Sequence, residues 1–81
     1  MAWVYIIKSE EDYIYVGSTT DLEKRLFQHN NKLAGWTKRG NNWKLIYSEE
    51  FSTYSEARKK EKWLKTGIGR DFIKINILTG S

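Results

Sequence analysis

The sequence contains no cysteine. That excludes a disulfide framework and any thiolate-bound metal. It also lacks a long apolar run. The opening stretch Met1-Ala2-Trp3-Val4-Tyr5-Ile6-Ile7 ends at Lys8 and has no basic leader, so neither a signal peptide nor a membrane-spanning helix is expected. Repeats, low-complexity tracts and linkers are missing too, which leaves no sign of a second domain. The expectation is one cytoplasmic domain over residues 1–81, with a core large enough to fold alone but only modestly stable. What is present is 40% hydrophobic and 15% aromatic residues, which excludes a disordered chain. Fourteen Lys and Arg against ten Asp and Glu give a net charge of +4. That balance suits a polyanionic partner, although many basic proteins bind none.

Trp3 to Lys8 and Tyr13 to Ser18 are rich in aromatic and β-branched residues and read as strands. Ser9-Glu10-Glu11-Asp12 reads as the hairpin loop between them. Pairing centred on residue 10 sets Tyr5 opposite Tyr15 and Val4 opposite Val16. Alternation then puts Tyr5, Tyr15 and Gly17 on one face, and Val4, Ile6, Ile14 and Val16 on the other. Gly17, without a side chain, allows a close approach to its backbone.

Thr20-Asp21-Leu22-Glu23 reads as a capping box that opens a helix running to about Lys32. Its apolar stripe is Leu22, Leu26, His29 and Leu33. Arg25 and His29 project from one side, one turn apart. After a loop over residues 34–42, Trp43 to Phe51 alternates as a third strand, with Trp43, Leu45 and Tyr47 on one side. Thr53-Tyr54-Ser55-Glu56 is a second capping box, and its helix stops at Thr66-Gly67. Ala57, Glu61, Leu64 and Ile68 form the apolar stripe of that helix. Glu61 is the anomaly: a carboxylate facing a core must be paired, hydrogen-bonded or bound to a metal. In the tail, Ile73, Ile75 and Ile77 alternate like a strand, while Ile68, Phe72, Ile75 and Thr79 are spaced like a helix face. The alternation slightly favours a strand.

Each of these residues also has an ordinary reading. Tyrosines pack in strands, arginines cover helix faces, and a histidine on an apolar stripe is usually a satisfied core residue. Taken jointly and in order, however, the chain resembles the GIY-YIG nuclease domain. Trp3-Val4-Tyr5 and Tyr15-Val16-Gly17 stand for its two signature stretches. Arg25 and His29 match its Arg-x-x-x-His helix, and Glu61 matches its late acidic residue. The likeness is closest to small standalone members.

The resemblance implies an α+β fold in the order β-β-α-β-α-α, a three-stranded antiparallel sheet flanked by helices, with a helix after Gly69. It implies hydrolysis of a DNA phosphodiester bond at one divalent ion, Mg²⁺ or Mn²⁺, in DNA repair or recombination. Tyr5, Tyr15, Arg25, His29 and Glu61 would be the catalytic set. Glu61 would be the metal ligand and Arg25 the phosphate clamp, with one of the two tyrosines serving as the base and His29 as its neighbour. Asn76 is a candidate for the family's late asparagine. Gly17, Trp36, Lys38, Arg39 and Lys44 are the candidate nucleic-acid contacts: cations interleaved with an aromatic suit phosphate binding and base stacking, and equally a solvated basic loop. A non-catalytic basic module on the same scaffold is the alternative. Binding needs only the cations, whereas cutting needs Glu61 and the tyrosines.

Overall fold

The structure is a computed structural model and describes residues 1–33 and 35–78; of Trp36 it describes the backbone alone. Three antiparallel strands form the sheet. Strand β1 (Ala2–Lys8) is central, β2 (Ile14–Thr19) lies on one side of it and β3 (Lys44–Phe51) on the other. In the β1–β2 hairpin, Tyr5 pairs with Gly17, Ile6 with Val16 and Ile7 with Tyr15. The pairing is therefore centred on residue 11, not residue 10. The loop is one residue longer at its far end: Ser9 N donates to Tyr13 O at 3.0 Å, and Asp12 turns the chain in the left-handed region at φ 70°, which an aspartate tolerates. Facing residues move by two, so the faces are as expected.

The β1–β3 pairing breaks between Ile6, opposite Tyr47, and Ile7, opposite Leu45. Ile46 is the extra residue of a bulge, which reverses which side each later residue faces. The simple alternation expected for Trp43, Leu45 and Tyr47 does not hold. Trp43 packs with Tyr5 and Ile7, whereas Ile46 and Tyr47 pack against Val4, Ile6 and Leu64 on the other face.

Helix α1 (Leu22–Asn30) is capped by Asp21, not Thr20: Asp21 Oδ1 accepts from Lys24 N at 3.1 Å. Aspartate is the better cap of the two. The helix ends at Asn30, short of Lys32, which is itself left-handed at φ 59°. Leu33 therefore leaves the stripe and is exposed. Helix α2 (Tyr54–Leu64) is capped by Thr53, whose hydroxyl accepts from Glu56 N at 3.2 Å. It stops one turn before Ile68, which is exposed rather than on the α2 stripe.

Thr66 opens helix α3 (Gly67–Ile73), and a π-helical turn follows over Lys74–Leu78. The tail is helical, as the resemblance implied and against the alternation. Phe72, Ile73, Ile77 and Leu78 reach the core while Ile75 is exposed. The five-residue spacing from 72 to 77 and from 73 to 78 fits neither a strand nor an α-helix. Thr79 lies outside the described residues.

Gly69 lets α3 seat on the end of α2. A Cβ there would lie 2.1 Å from Trp63 O and 2.5 Å from Leu64 Cα. Backbone cannot yield as a side chain can, so Gly69→Ala should destabilise the fold by about 3 kcal/mol. Urea unfolding checks this; a loss below about 0.5 kcal/mol, the range of an ordinary surface change, would contradict the close seating.

Candidate active site

The centre of the site is the Tyr5 phenol. Tyr5 is only 2% exposed although its strand is built to bury apolar residues. Its ring crosses Gly17 on the neighbouring strand, where a Cβ would stand 2.6 Å from the phenol oxygen. The close approach expected at Gly17 is thus made by Tyr5 itself. Burying a phenol requires partners for its oxygen. His29 Nε2 lies at 2.8 Å, and Arg25 Nε donates to it at 3.3 Å. Burial, against the opposing pull of the Arg25 hydrogen bond, pushes the Tyr5 pKa up to about 12.

His29 is buried on α1, and its Nδ1 meets Thr37 Oγ1 at 2.6 Å. Thr37 belongs to a 3₁₀ turn, Gly35–Arg39. The loop carrying it is tied down from several sides. Trp43 Nε1 donates to Thr37 O at 3.0 Å, and Lys32 Nζ donates to Gly40 O at 3.1 Å and to Asn41 Oδ1 at 2.9 Å. Asn30 holds the Trp43 backbone from both sides, accepting at 2.7 Å and donating at 3.1 Å. A loop so held fixes the imidazole orientation. With Nδ1–H donating to Thr37, Nε2 is free to accept the Tyr5 proton.

Burial first, and the Arg25 charge second, lower the His29 pKa to about 4 from its ordinary 6.5. The unfolded chain therefore takes up this proton before the folded one. Stability from this group is complete above about pH 6.5 and is lost as the pH falls toward about 4, by roughly 1–3 kcal/mol. An NMR titration of the imidazole should show a midpoint well below 6; a midpoint at or above the ordinary value would contradict the buried, Tyr5-bound state.

Tyr15, half-buried, stacks beside both groups, with ring centroids 5.0 Å from His29 and 6.2 Å from Tyr5. Arg25 also donates from Nη1 to Gln28 Oε1 at 3.0 Å. These four side chains lie on the α1 face of the sheet. Glu61 arrives from α2, on the opposite face, beside the edge strand β2. Ser18 Oγ donates to Glu61 Oε1 at 2.5 Å and Lys65 Nζ donates to Oε2 at 2.8 Å. The same Lys65 Nζ lies 5.9 Å from the Tyr15 ring centroid. The Glu61 charge is close enough to act on Tyr5.

The Glu61 side chain is 14% exposed, with Arg58 Nε 3.5 Å from Oε1. Burial acts to raise its pKa, but the hydrogen bonds from Lys65 and Ser18 and the charges of Lys65 and Arg58 outweigh it, and the net shift is downward. The anomalous carboxylate is therefore ionised and paired. Among the described residues, no three His, Asp or Glu side chains are grouped to cage a metal. A hard ion such as Mg²⁺, which keeps most of its waters, needs only one or two carboxylates. An ionised oxygen donor at the site's edge fits that requirement.

An open polar groove of about 600 Å³ runs beside Arg25, lined by Ser18, Thr19, Lys24, Gln28 and Tyr54 among others. Lys38 and Arg39 are exposed on the 3₁₀ turn that holds His29. Lys44 is elsewhere: it pairs with Lys8 at the other end of β1, on the face opposite Tyr5. The Trp36 side chain lies outside the described residues. Asn76, in the π-helical turn, is exposed and donates to Phe72 O of α3. The sequence reading missed Thr37, Ser18, Lys65 and Tyr54 as members of the site. Only Lys65, four residues after Glu61, left a trace that helix periodicity could have found.

The fold thus sets a Tyr–His–Arg cluster on one face of a three-stranded sheet and an ionised carboxylate beside its edge strand. The GIY-YIG catalytic domain model matches residues 1–70, and the chain belongs to the GIY-YIG family. GIY-YIG domains are nuclease domains; they act on nucleic acid and generally use a divalent metal ion. A UPF0213 protein of Staphylococcus saprophyticus is 42% identical over 65 residues, covering 79% of each chain. Another from Clostridium perfringens is 39% identical over 66 residues, covering 80% of this chain and 71% of its own. The solution structure of a UPF0213 protein from Bacillus halodurans superposes with a TM-score of 0.54 at 26% identity, covering 90% of this chain and 82% of that one. Among the described residues no helix is long and apolar enough to cross a membrane.

Proposed function

We propose that the chain is a single catalytic unit that hydrolyses DNA phosphodiester bonds with a divalent ion, Mg²⁺ or Mn²⁺, held by Glu61. The observation that carries the reading is the Tyr5 oxygen, held between Arg25 Nε at 3.3 Å and His29 Nε2 at 2.8 Å. It donates its proton to His29 and accepts one from Arg25, which leaves a lone pair for the proton of an attacking water. Tyr5 takes that proton as its own moves to His29. Burial raises the Tyr5 pKa and lowers that of His29, and both directions favour the neutral pair at rest. The transfer belongs to the moment of attack, when Arg25 keeps the tyrosine oxygen in place between the water and His29.

Arg25 spends one donor on Tyr5 and one on Gln28, with Tyr15 also in reach. A guanidinium carries five, so donors remain to grip a phosphate oxygen beside the groove. The ion, when bound, supplies charge neutralisation for the phosphate and the leaving oxygen. Lys38 and Arg39 add phosphate contacts, and the exposed basic face of α2 adds long-range attraction.

Tyr5→Phe tests the reading. Cleavage should fall about a hundredfold while DNA affinity stays within about twofold, measured on one labelled oligonucleotide. Equal loss of binding and cutting would instead make Tyr5 a structural residue. The ordinary alternative, a non-catalytic basic module, requires no such separation.

A further inference from the structure

Lys65 holds one of the two carboxylate oxygens of Glu61. Its Nζ donates to Glu61 Oε2 at 2.8 Å and lies 5.9 Å from the Tyr15 ring centroid. An i,i+4 Glu–Lys pair on a helix is common and weak, and Lys65 is itself half-exposed. Two features set this pair apart. The carboxylate is only 14% exposed, and it is fixed from a second element by Ser18 Oγ at 2.5 Å. A largely desolvated carboxylate needs a counter-charge. Lys65 provides the close one, while Arg58 stands farther off at 3.5 Å.

We infer that Lys65 is a resident cation that competes with the divalent ion for Glu61, so that its ammonium group sets the metal affinity of the site. The inference rests on Glu61 being the metal ligand. The ammonium and the ion seek the same oxygen, and two cations side by side repel. Loading the site therefore requires Nζ to move away, which it can do because its stem is flexible and its other side faces water. Ser18 keeps its hold on Oε1 throughout, so the carboxylate stays in position while Oε2 changes partner. Lys65 is on this account a positioning residue that acts through Glu61, with no role in the bond-breaking step.

The test is Mn²⁺ binding without nucleic acid, followed by the paramagnetic resonance signal of the free ion. Four proteins are compared: the parent, Lys65→Met, Lys65→Arg and Glu61→Gln, each first shown to be folded by its thermal transition. Lys65→Met keeps the stem and removes the charge, and should bind Mn²⁺ about three- to tenfold more tightly than the parent. Lys65→Arg restores a cation and should return affinity to within about twofold of the parent. Glu61→Gln should lose the site. If Glu61→Gln loses binding while Lys65→Met binds no better than the parent, the competition is refuted and the metal-ligand role of Glu61 stands. If Lys65→Met binds more tightly but Lys65→Arg does so equally, charge is not the cause and the inference fails. If Glu61→Gln binds Mn²⁺ like the parent, the metal-ligand role fails and the inference falls with it.

Discussion

Gly17→Ala should reduce cleavage a thousandfold or more and cost about 2 kcal/mol of stability. The added Cβ would stand 2.6 Å from the Tyr5 oxygen, 2.7 Å from its Cζ and 2.9 Å from Tyr15 Cε2. One methyl group thus displaces both tyrosines. The Tyr5 ring is packed with Ile7 and Trp43, so it moves only by disturbing that cluster or by turning away from its partners. Its oxygen must leave His29 and Arg25, and a buried imidazole then loses the partner of Nε2. A companion variant sharpens the point. Adding Tyr5→Phe to Gly17→Ala removes the shortest clash, so part of the stability should return while cleavage stays lost. Initial cleavage rates and thermal transitions of the parent and the two variants check this. A Gly17→Ala protein that cuts at the parental rate would show that the phenol is not held as described.

Glu61→Gln should lower cleavage about a thousandfold and leave the fold nearly intact. Glutamine keeps the size of the side chain and can still accept from Ser18, but it carries no charge to hold a divalent ion. The released cations are not trapped. Lys65 and Arg58 are each 49% exposed at the side chain, so they hydrate, and the stability change should stay within about 1 kcal/mol. A fully buried pair would cost several times more. DNA affinity without metal should persist or rise slightly, because a negative charge beside the phosphate path is gone. A destabilised variant that still cuts would assign Glu61 a structural role.

The strand faces were legible in the sequence because they tolerate a register error. Moving the hairpin centre by one residue moves each partner by two, so Tyr5, Tyr15 and Gly17 share a face under either pairing. Arg25 and His29 were legible because helix spacing alone puts them on one side. The bulge at Ile46 was not, since an extra residue in a strand leaves no mark in an apolar run, and it moves Tyr47 to the other face. The tail defeated both periods because its buried pairs are five residues apart. The Asp21 cap was masked by a capping-box pattern one residue earlier.

The grouping of Tyr5, Tyr15, Arg25 and His29 was legible in the sequence, and the residues that support it were not. Thr37 holds His29 from a loop whose shape depends on Asn30, Lys32 and Trp43 together. No local pattern announces such a loop. Ser18 could not be linked to Glu61, 43 residues away, without knowing that α2 packs against the edge strand. Lys44 shows the converse: a cation next to an aromatic in sequence can lie on the face opposite Tyr5.

The central claim is that the Tyr5, Arg25, His29 and Glu61 assembly cuts DNA with a divalent ion. The most direct measurement incubates the protein with end-labelled branched, single-stranded and duplex oligonucleotides, in Mg²⁺ or in chelator, and records cleavage and binding together. The expected result is cleavage of at least one substrate in Mg²⁺ only, leaving a 3′-hydroxyl and a 5′-phosphate, with binding that weakens steeply as salt rises. Salt-sensitive binding with no cleavage of any substrate would contradict it and leave a basic nucleic-acid-binding module on the GIY-YIG scaffold.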